Sequence, residues 1–126
     1  EYMIGIPATL GGAVRMNAGA LGQETSQVVE SVTLYNLQSQ TVETWPVERM
    51  GYHYRHSDLD PASHLVLSAV LRFRVGDKAV ITQRMHDSVA FRKTHHPTEP
   101  NGGSVFQNPD PAHTVGRLLD DLNAKG

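Results

Sequence analysis

The chain has 126 residues, with 11 basic and 13 acidic side chains and a formal net charge of −2. This balance argues against a dedicated nucleic-acid-binding protein, which carries a clear basic excess. The absence of cysteine excludes disulfides, cysteine-ligated metal centres and a thiol nucleophile. No apolar run reaches the roughly 20 residues of a membrane-spanning helix, and a hydrophobic content of 39% is typical of a globular protein.

The first 22 residues are rich in glycine, which adopts positive φ easily and lets other groups approach the backbone closely. The Ala, Val and Met residues of 13–18 predict a short helix after Gly12. A glycine-rich turn that opens a helix is a recurring anion site. The pattern also fits a purely structural turn, because its spacing matches neither of the common glycine motifs for phosphate. The glycines are Gly5, Gly11, Gly12, Gly19 and Gly22.

A β-hairpin is predicted next. Apolar and polar residues alternate over 28–37, which places Val32 and Leu34 on one face. The alternation resumes over 41–45. Pro46 then ends the second strand, because proline cannot donate a hydrogen bond to the sheet.

Residues 47–59 combine tyrosines, histidines, arginines and a serine around one glycine. Such density is typical of a functional loop, although a solvated turn with aromatic anchors has the same composition. His53 and His56 have a spacing that a metal site can use. Neighbouring carboxylates are sparse, which favours ordinary hydrogen-bonding histidines.

A strand is predicted over 64–75 and a helix over 78–93, with Asp77 as its N-cap. The loop that follows, 94–111, is rich in proline and glycine. The order of elements predicts an α+β fold with an antiparallel-rich sheet and packed helices. The strand residues expected to share one face are Leu67, Ala69, Leu71, Phe73 and Val75.

Five polar side chains offer complementary chemistry. Arg55 is a planar cationic fork for a carboxylate or an enolate oxygen, and Ser104 has a hydroxyl proton. A Ser-His-Asp hydrolase is disfavoured, because the Gly-x-Ser-x-Gly pattern fails around this serine. Arg92 and Lys93 offer cations for phosphate, and Asn108 offers an amide. With the glycine-rich backbone, this set suits a dinucleotide cofactor that faces an anionic nucleotide-sugar.

Three segments resemble the motifs of the MurB family, the UDP-N-acetylenolpyruvoylglucosamine reductases. Residues 5–20 resemble the family's glycine motif. Residues 54–57 (Tyr-Arg-His-Ser) are similar to its Tyr-Arg-x-Ser, and residues 103–109 to its Gly-Ser-x-Phe-x-Asn-Pro. The motifs occur in the family's order, and the tail 116–126 fits the helix that follows them.

The resemblance implies a flavoenzyme of peptidoglycan synthesis in the bacterial cytoplasm, with roles in cell-wall biogenesis, cell shape and division. It implies FAD, with NADPH as hydride donor, and UDP-N-acetylglucosamine enolpyruvate as substrate, reduced to UDP-N-acetylmuramate. No metal, nucleic acid or membrane partner is implied. Arg55 would then stabilise enolate-like charge and Ser104 would supply the proton that hydride addition requires. Tyr54, Arg92 and Asn108 would contact the substrate. The implied cofactor-binding residues are Gly5, Ile6, Pro7, Gly11, Gly12, Ala13, Asn17 and Gly19.

The same resemblance implies a domain organisation. Residues 1–22 would border the flavin at the end of the FAD-binding region, and residues 23–126 would form the substrate-side α+β domain. The family's N-terminal FAD domain and its C-terminal catalytic Glu have no counterpart here. The chain is therefore expected to be a central fragment, inactive alone, of a monomeric parent. Bared apolar surface would let the fragment self-associate.

Four positions distinguish the chain from other sequences that carry these motifs. Gly76 and Asp77 follow the predicted strand at once, which resembles the shorter branch that lacks an inserted tyrosine loop. Ala8 and Gln107 replace residues common in the family. Gln107 removes a cation, so a non-catalytic homologue that binds a nucleotide-sugar remains an alternative.

Overall fold

The computed structural model of the chain describes residues 1–97, 99–110 and 112–124. The chain divides into two compact units, Glu1–His96 and Pro97–Gly126. The division between residues 22 and 23 stays a prediction. In chain order the elements are α1 (Leu10–Arg15), β1 (Gly19–Ala20), β2 (Gln23–Glu24), β3 (Val29–Asn36), β4 (Thr41–Pro46), β5 (His64–Leu71), α2 (Lys78–His95) and α3 (Val115–Asp121), with 3₁₀ turns at Thr25–Gln27 and Val47–Met50.

Strand β3 is the centre of an antiparallel sheet of order β4-β3-β5. The predicted hairpin is confirmed, with Val32 opposite Trp45 in the register of β3 and β4. Val32 and Leu34 are completely buried, as the alternation predicts. Pro46 is the last residue of β4. The antiparallel sheet and the helices confirm the expected α+β class.

The core of the first unit lies between the inner face of this sheet, helix α1 and the loop after β4. Removing each large apolar side chain from water stabilises the fold by roughly 1.5–3 kcal/mol. This core fixes the positions of the glycine-rich segment and the polar loop, since both contribute buried residues to it. Its members are Val14, Val29, Val32, Leu34, Trp45, Met50 and Leu59.

Strand β5 ends at Leu71, so the predicted end at Val75 was wrong. The N–H of Arg72 extends the backbone pairing by one more hydrogen bond, which it donates to the carbonyl of Val28 at 2.7 Å. Since β3 begins at Val29, the residues after Arg72 have passed the end of their partner strand. Apolar and polar residues continue to alternate up to Val75, although β3 has no residues there with which they could pair.

The inner face of β5 also differs from the prediction. Val66, Ala69 and Leu71 pack against the core, because the register with β3 shifts in the middle of the strand. Such an irregularity moves neighbouring side chains to the opposite face. The residues predicted to share a face with Ala69 and Leu71 that are instead exposed are Leu67, Phe73 and Val75.

Helix α1 begins three residues before the predicted segment 13–18. The Thr9 hydroxyl accepts the N–H of Gly12 at 3.1 Å and caps the helix. The helix ends in a Schellman motif, in which Asn17 takes φ 43° and the next N–H donates to the carbonyl five residues earlier at 2.9 Å. These caps, rather than the apolar residues, set the bounds of the helix.

Helix α2 confirms the predicted helix and its cap, since the Asp77 carboxylate accepts the N–H of Val80 at 3.0 Å. It continues two residues beyond the predicted 78–93, because the Thr94 hydroxyl and the His95 ring bond to carbonyls of the last turn. Within the described residues, no helix combines the length and apolarity that crossing a membrane demands.

The second unit contains α3, which confirms the expected helix in the tail. Thr114 caps it, accepting the N–H of Arg117 at 3.4 Å. The residues before α3 form the expected loop. Thr98 and Pro111 of that loop, and Lys125 and Gly126 of the tail, lie outside the described residues.

Candidate functional site

Arg55 occupies a tight turn in the loop after β4. His53 and His56 close the turn with two backbone hydrogen bonds of 3.1 and 3.3 Å, and their rings stack at 4.0 Å. Arg55 takes φ 54°, the left-handed region that normally favours glycine or asparagine. A non-glycine residue there costs of order 1–2 kcal/mol, and such residues cluster at functional sites.

The guanidinium of Arg55 is attached to the hairpin of β1 and β2. Its Nη2 donates to the carbonyl of Gly19 at 2.6 Å, and its Nη1 lies 3.7 Å from Oε1 of Glu24. Gly19 and Glu24 are themselves opposite each other in the hairpin. The Tyr54 ring lies beside the same guanidinium, 4.9 Å from ring centroid to Cζ. One edge of the cation is thus held by the protein.

Asn17 is the buried centre of these contacts, with no exposed surface. Its Nδ2 donates to Oε2 of Glu24 at 2.8 Å and to the carbonyl of His53 at 3.0 Å. Its Oδ1 accepts the N–H of Ser26 at 2.9 Å. The amide therefore joins the carboxylate beside Arg55 to the first residue of the turn. Its assignment to the cofactor stays a prediction.

Ser57 supplies a second anchor for the turn. Its buried Oγ donates to the carbonyl of Arg15, at the end of α1, over 2.6 Å. Two of the three motifs noted in the sequence, residues 5–20 and residues 54–57, are thus brought together by direct hydrogen bonds. This convergence could not be read from their spacing.

The exposed part of the glycine-rich segment lies before and within the first turn of α1. Gly5 takes φ 77°, and a Cβ on it would lie 3.4 Å from Cδ of Arg92. The guanidinium of Arg92 donates to the carbonyl of Tyr2 at 3.0 Å. Arg92 thus lies against the residues predicted to border a cofactor. The remaining predicted cofactor residues of this stretch are Ile6, Pro7, Gly11, Gly12 and Ala13, of which Pro7 and Gly12 are exposed and Ala13 is buried.

The predicted site residues of the second unit lie in the loop before α3. Ser104 is exposed and follows Gly103, which takes φ 68°. The turn before it is closed by Asn101, whose Oδ1 accepts the N–H of Gly103 at 2.9 Å. Asn108 is half-buried, and its Oδ1 accepts the N–H of Val115 at 3.0 Å. Within the described residues its Nδ2 group makes no hydrogen bond, so this part of the amide could bind another partner.

Tyr52 lies just before the Arg55 turn and packs against the core. Its hydroxyl is buried and, within the described residues, has no hydrogen-bond partner. Burial raises the pKa of Tyr52 to about 12, since desolvation disfavours the phenolate. The hydroxyl therefore stays neutral near pH 7.

Glu24 is the residue of this arrangement that the sequence reasoning missed. It lies 31 positions before Arg55, and no spacing rule links a lone acidic residue to a distant arginine. The one sequence feature that could have identified Glu24 is its position directly after the glycine-rich segment. No group of three or more His, Asp or Glu side chains with metal-binding geometry occurs in the ranges that the structure describes.

Fold and site together define an α+β chain in which an arginine-bearing turn is fastened to a glycine-rich segment. No protein-family model matches the chain. Over its whole length it is 39% identical to the UDP-N-acetylenolpyruvoylglucosamine reductase of Limosilactobacillus fermentum and 41% identical to that of Caulobacter vibrioides. The chain spans 42% of the length of each of these curated relatives.

A solved structure gives the same result. The crystal structure of UDP-N-acetylenolpyruvylglucosamine reductase (MurB) from Thermus caldophilus matches 98% of the chain at a TM-score of 0.86 and 34% identity. The match covers 45% of that protein. The resemblance to the MurB family is confirmed, and the chain corresponds to about two fifths of such a reductase.

Proposed function

We propose that the chain is the substrate-side part of a flavin-dependent reductase of bacterial peptidoglycan synthesis. The reaction is the reduction of UDP-N-acetylglucosamine enolpyruvate to UDP-N-acetylmuramate, in the cytoplasm, with NADPH as hydride donor. The observation that carries the proposal is the attachment of the Arg55 turn to Gly19, Glu24 and Asn17. It joins the expected substrate cation to the expected cofactor segment. The reductases named above, similar over the whole chain, support it.

The glycine-rich segment fits the phosphate groups of FAD. Gly5, Pro7 and Gly12 are exposed, and small residues there let a ligand approach the backbone closely. These residues, with Ile6 and Gly11, would hold FAD. When bound and reduced by NADPH, FAD supplies the hydride that reaches the enolpyruvyl double bond.

Arg55 is proposed to stabilise the charge that hydride addition creates. Negative charge develops on the carbon next to the substrate carboxylate and spreads onto the carboxylate oxygens. A guanidinium has five N–H donors in a planar fork that matches a carboxylate. Because Gly19 and Glu24 hold one edge of the fork, the cation is in place before the charge appears.

Ser104 is proposed to complete the reaction by donating its Oγ proton to the carbanionic carbon. Serine is a weak acid, so this role depends on position and on the strong basicity of the carbanion. Asn108 would help hold the substrate through its Nδ2 group. Arg92 would meet the substrate phosphates, and Tyr54 would contact the substrate beside Arg55.

The proposal is tested by calorimetric titration of the chain with UDP-N-acetylglucosamine enolpyruvate. Saturable binding is expected, and Arg55→Ala is expected to weaken it at least tenfold, because a charge-assisted hydrogen bond contributes roughly 1.5–3 kcal/mol. Arg72→Ala is the matched control. Arg72 pairs with Glu30 at 2.8 Å in the same unit. Its replacement by alanine should leave the affinity for the substrate unchanged. No binding by a folded chain would contradict the proposed substrate site.

A second experiment distinguishes a reductase from a homologue that only binds the nucleotide-sugar. The chain replaces the matching segment of the Limosilactobacillus fermentum reductase, and substrate-dependent oxidation of NADPH is followed by absorbance. Turnover by the chimaera is expected, with loss of turnover in its Arg55→Ala form. A chimaera that binds the substrate and takes up FAD without turnover would favour the binding-only alternative.

A further inference from the structure

We propose that Glu24, held by Asn17, is a positioning residue that aims the guanidinium of Arg55 at an anionic substrate. The inference rests on the proposed function and goes beyond it, because it makes substrate affinity depend on the charge of Glu24. Its starting point is the conformation of Arg55. A left-handed arginine persists only where its surroundings determine its geometry, and here the surroundings are a closed ring of contacts.

The ring begins and ends at Asn17. The amide donates to the Glu24 carboxylate at 2.8 Å, and that carboxylate lies 3.7 Å from the Arg55 guanidinium. The backbone leads from Arg55 back to His53, whose carbonyl accepts the second Nδ2 hydrogen at 3.0 Å. Rotation of the arginine side chain therefore breaks its contacts with the Gly19 carbonyl and with the carboxylate that the fully buried amide holds.

Charge distinguishes positioning from simple packing. The side chains of Arg55 and Glu24 are 31% and 32% exposed, so the ion pair is partly screened by solvent and contributes little to stability. The main effect of the ion pair is to fix the orientation of the Arg55 guanidinium. The Glu24 carboxylate and the Gly19 carbonyl contact Nη1 and Nη2. Within the described residues Nε–H donates to no other group, which leaves that side of the fork for a second carboxylate.

The test compares Glu24→Gln with Glu30→Gln in the same chain. Glu30 also pairs with an arginine, Arg72, and serves as the matched control. The first measurement needs no ligand: the NMR signal of the Arg55 Nε–H, assigned by its loss in Arg55→Lys. Glu24→Gln is expected to shift this signal, and Glu30→Gln is expected to leave it in place. An unmoved signal in Glu24→Gln would overturn the inference.

The second measurement is calorimetric titration with UDP-N-acetylglucosamine enolpyruvate, with urea midpoints recorded on the same samples. Glu24→Gln is expected to weaken binding about fivefold, through lost pre-organisation, with a midpoint equal to that of Glu30→Gln. Glu24→Asp is expected to recover part of the affinity. Binding unchanged in Glu24→Gln would overturn the inference and leave the proposed function intact. If the unaltered chain fails to bind while the NMR signal still responds, the proposed function fails and the contact is structural only.

Discussion

Arg55 and Ser104, the two residues proposed to act on the substrate, have very different surroundings. Arg55 is fixed by its turn, by the carbonyl of Gly19 and by a carboxylate that a buried amide holds. Ser104 lies in an exposed loop whose described hydrogen bonds are local, between residues at most a few positions apart or to the start of α3. Among the described residues, one group is positioned by long-range contacts and the other by the hydrogen bonds of its own loop.

The difference agrees with what each residue is proposed to do. A cation that stabilises developing charge is most effective when its orientation is fixed in advance, because no reorganisation is then needed during the reaction. A serine that delivers one proton has to reach a carbon atom of a bound substrate. Its geometry is completed by the substrate, so its surroundings need less rigidity before binding. Substitutions in the two regions should therefore affect folding unequally.

The largest expected effect is that of Asn17→Ala. The change removes three hydrogen bonds, those to the Glu24 carboxylate, the Ser26 N–H and the His53 carbonyl, and it places alanine at positive φ. The free energy of unfolding should fall by about 3 kcal/mol. Urea unfolding followed by fluorescence measures it, because the single tryptophan lies in the core of the first unit.

Asn108→Ala is the matched change in the other region. It removes one hydrogen bond, to the N–H of Val115 at the start of α3, which contributes about 1 kcal/mol to the helix. The tryptophan transition should stay where it is. Equal shifts for Asn17→Ala and Asn108→Ala would contradict the contrast between the two regions.

Gly19→Ala is expected to have the next largest effect. A Cβ on Gly19 would collide with the carbonyl oxygen of Gln23 and would lie 2.8 Å from Cγ of Glu24 and 3.2 Å from Nη1 of Arg55. The backbone contact cannot move away easily, so unfolding should require about 2 kcal/mol less. The Arg55 Nε–H signal should shift as well.

The control for this change is Gly116→Ala in α3. Apart from the adjacent residues and the helix's own backbone, no atom of the described residues lies within 4 Å of a Cβ added there, and alanine favours a helix over glycine by about 1 kcal/mol. Helical ellipticity should rise or stay constant. A well-tolerated Gly19→Ala would show that the hairpin relaxes around the added methyl group, and that close packing is not what fixes Arg55.

Much of the fold could be predicted from local patterns. Strict alternation identified β3 and β4, and Asp77 identified the start of α2, because each signal depends on residues close in sequence. The end of β5 could not be predicted, since it depends on where the partner strand β3 begins. The bounds of α1 depend on caps at Thr9 and Asn17 that lie outside its apolar pattern.

The candidate site was predictable in its parts and not in its assembly. Motif resemblance pointed to Arg55, Ser104 and Asn108 as residues, and composition pointed to the loop after β4. The contacts of Glu24 and Asn17 with the Arg55 turn join residues 31 to 36 positions apart. Such contacts follow from how the hairpin of β1 and β2 packs, and a single sequence does not encode that as a local signal.

Tyr52→Phe is expected to change the free energy of unfolding less than Gly19→Ala does. It tests the burial of the tyrosine hydroxyl just before the Arg55 turn. The unfolded tyrosine ionises near pH 10, whereas burial raises the pKa of Tyr52 to about 12 in the folded chain. The unfolded state therefore loses its proton first. The stability contributed by the neutral phenol is complete below pH 10 and is lost as pH rises towards 12.

The measurement is the difference in unfolding free energy between the original chain and Tyr52→Phe, at pH 7 and pH 11. At pH 7 the variant should be equal or more stable by up to about 1 kcal/mol, because a buried hydroxyl without a partner is removed. The advantage of the variant should grow at pH 11. A difference that does not change with pH would contradict the burial of this hydroxyl.

The smallest expected effect on folding is that of Ser104→Ala. Its side chain is exposed, and substitutions at such positions change the free energy of unfolding by less than about 0.5 kcal/mol. Substrate affinity should also change little, since donating a proton is a role in turnover. The reductase chimaera should nevertheless lose most of its NADPH oxidation, because the carbanionic carbon then lacks its proton donor. If Ser104→Ala unfolds the chain or abolishes binding instead, the serine has a structural or binding role. The contrast with Arg55, a residue held rigidly before the substrate arrives, would then fail.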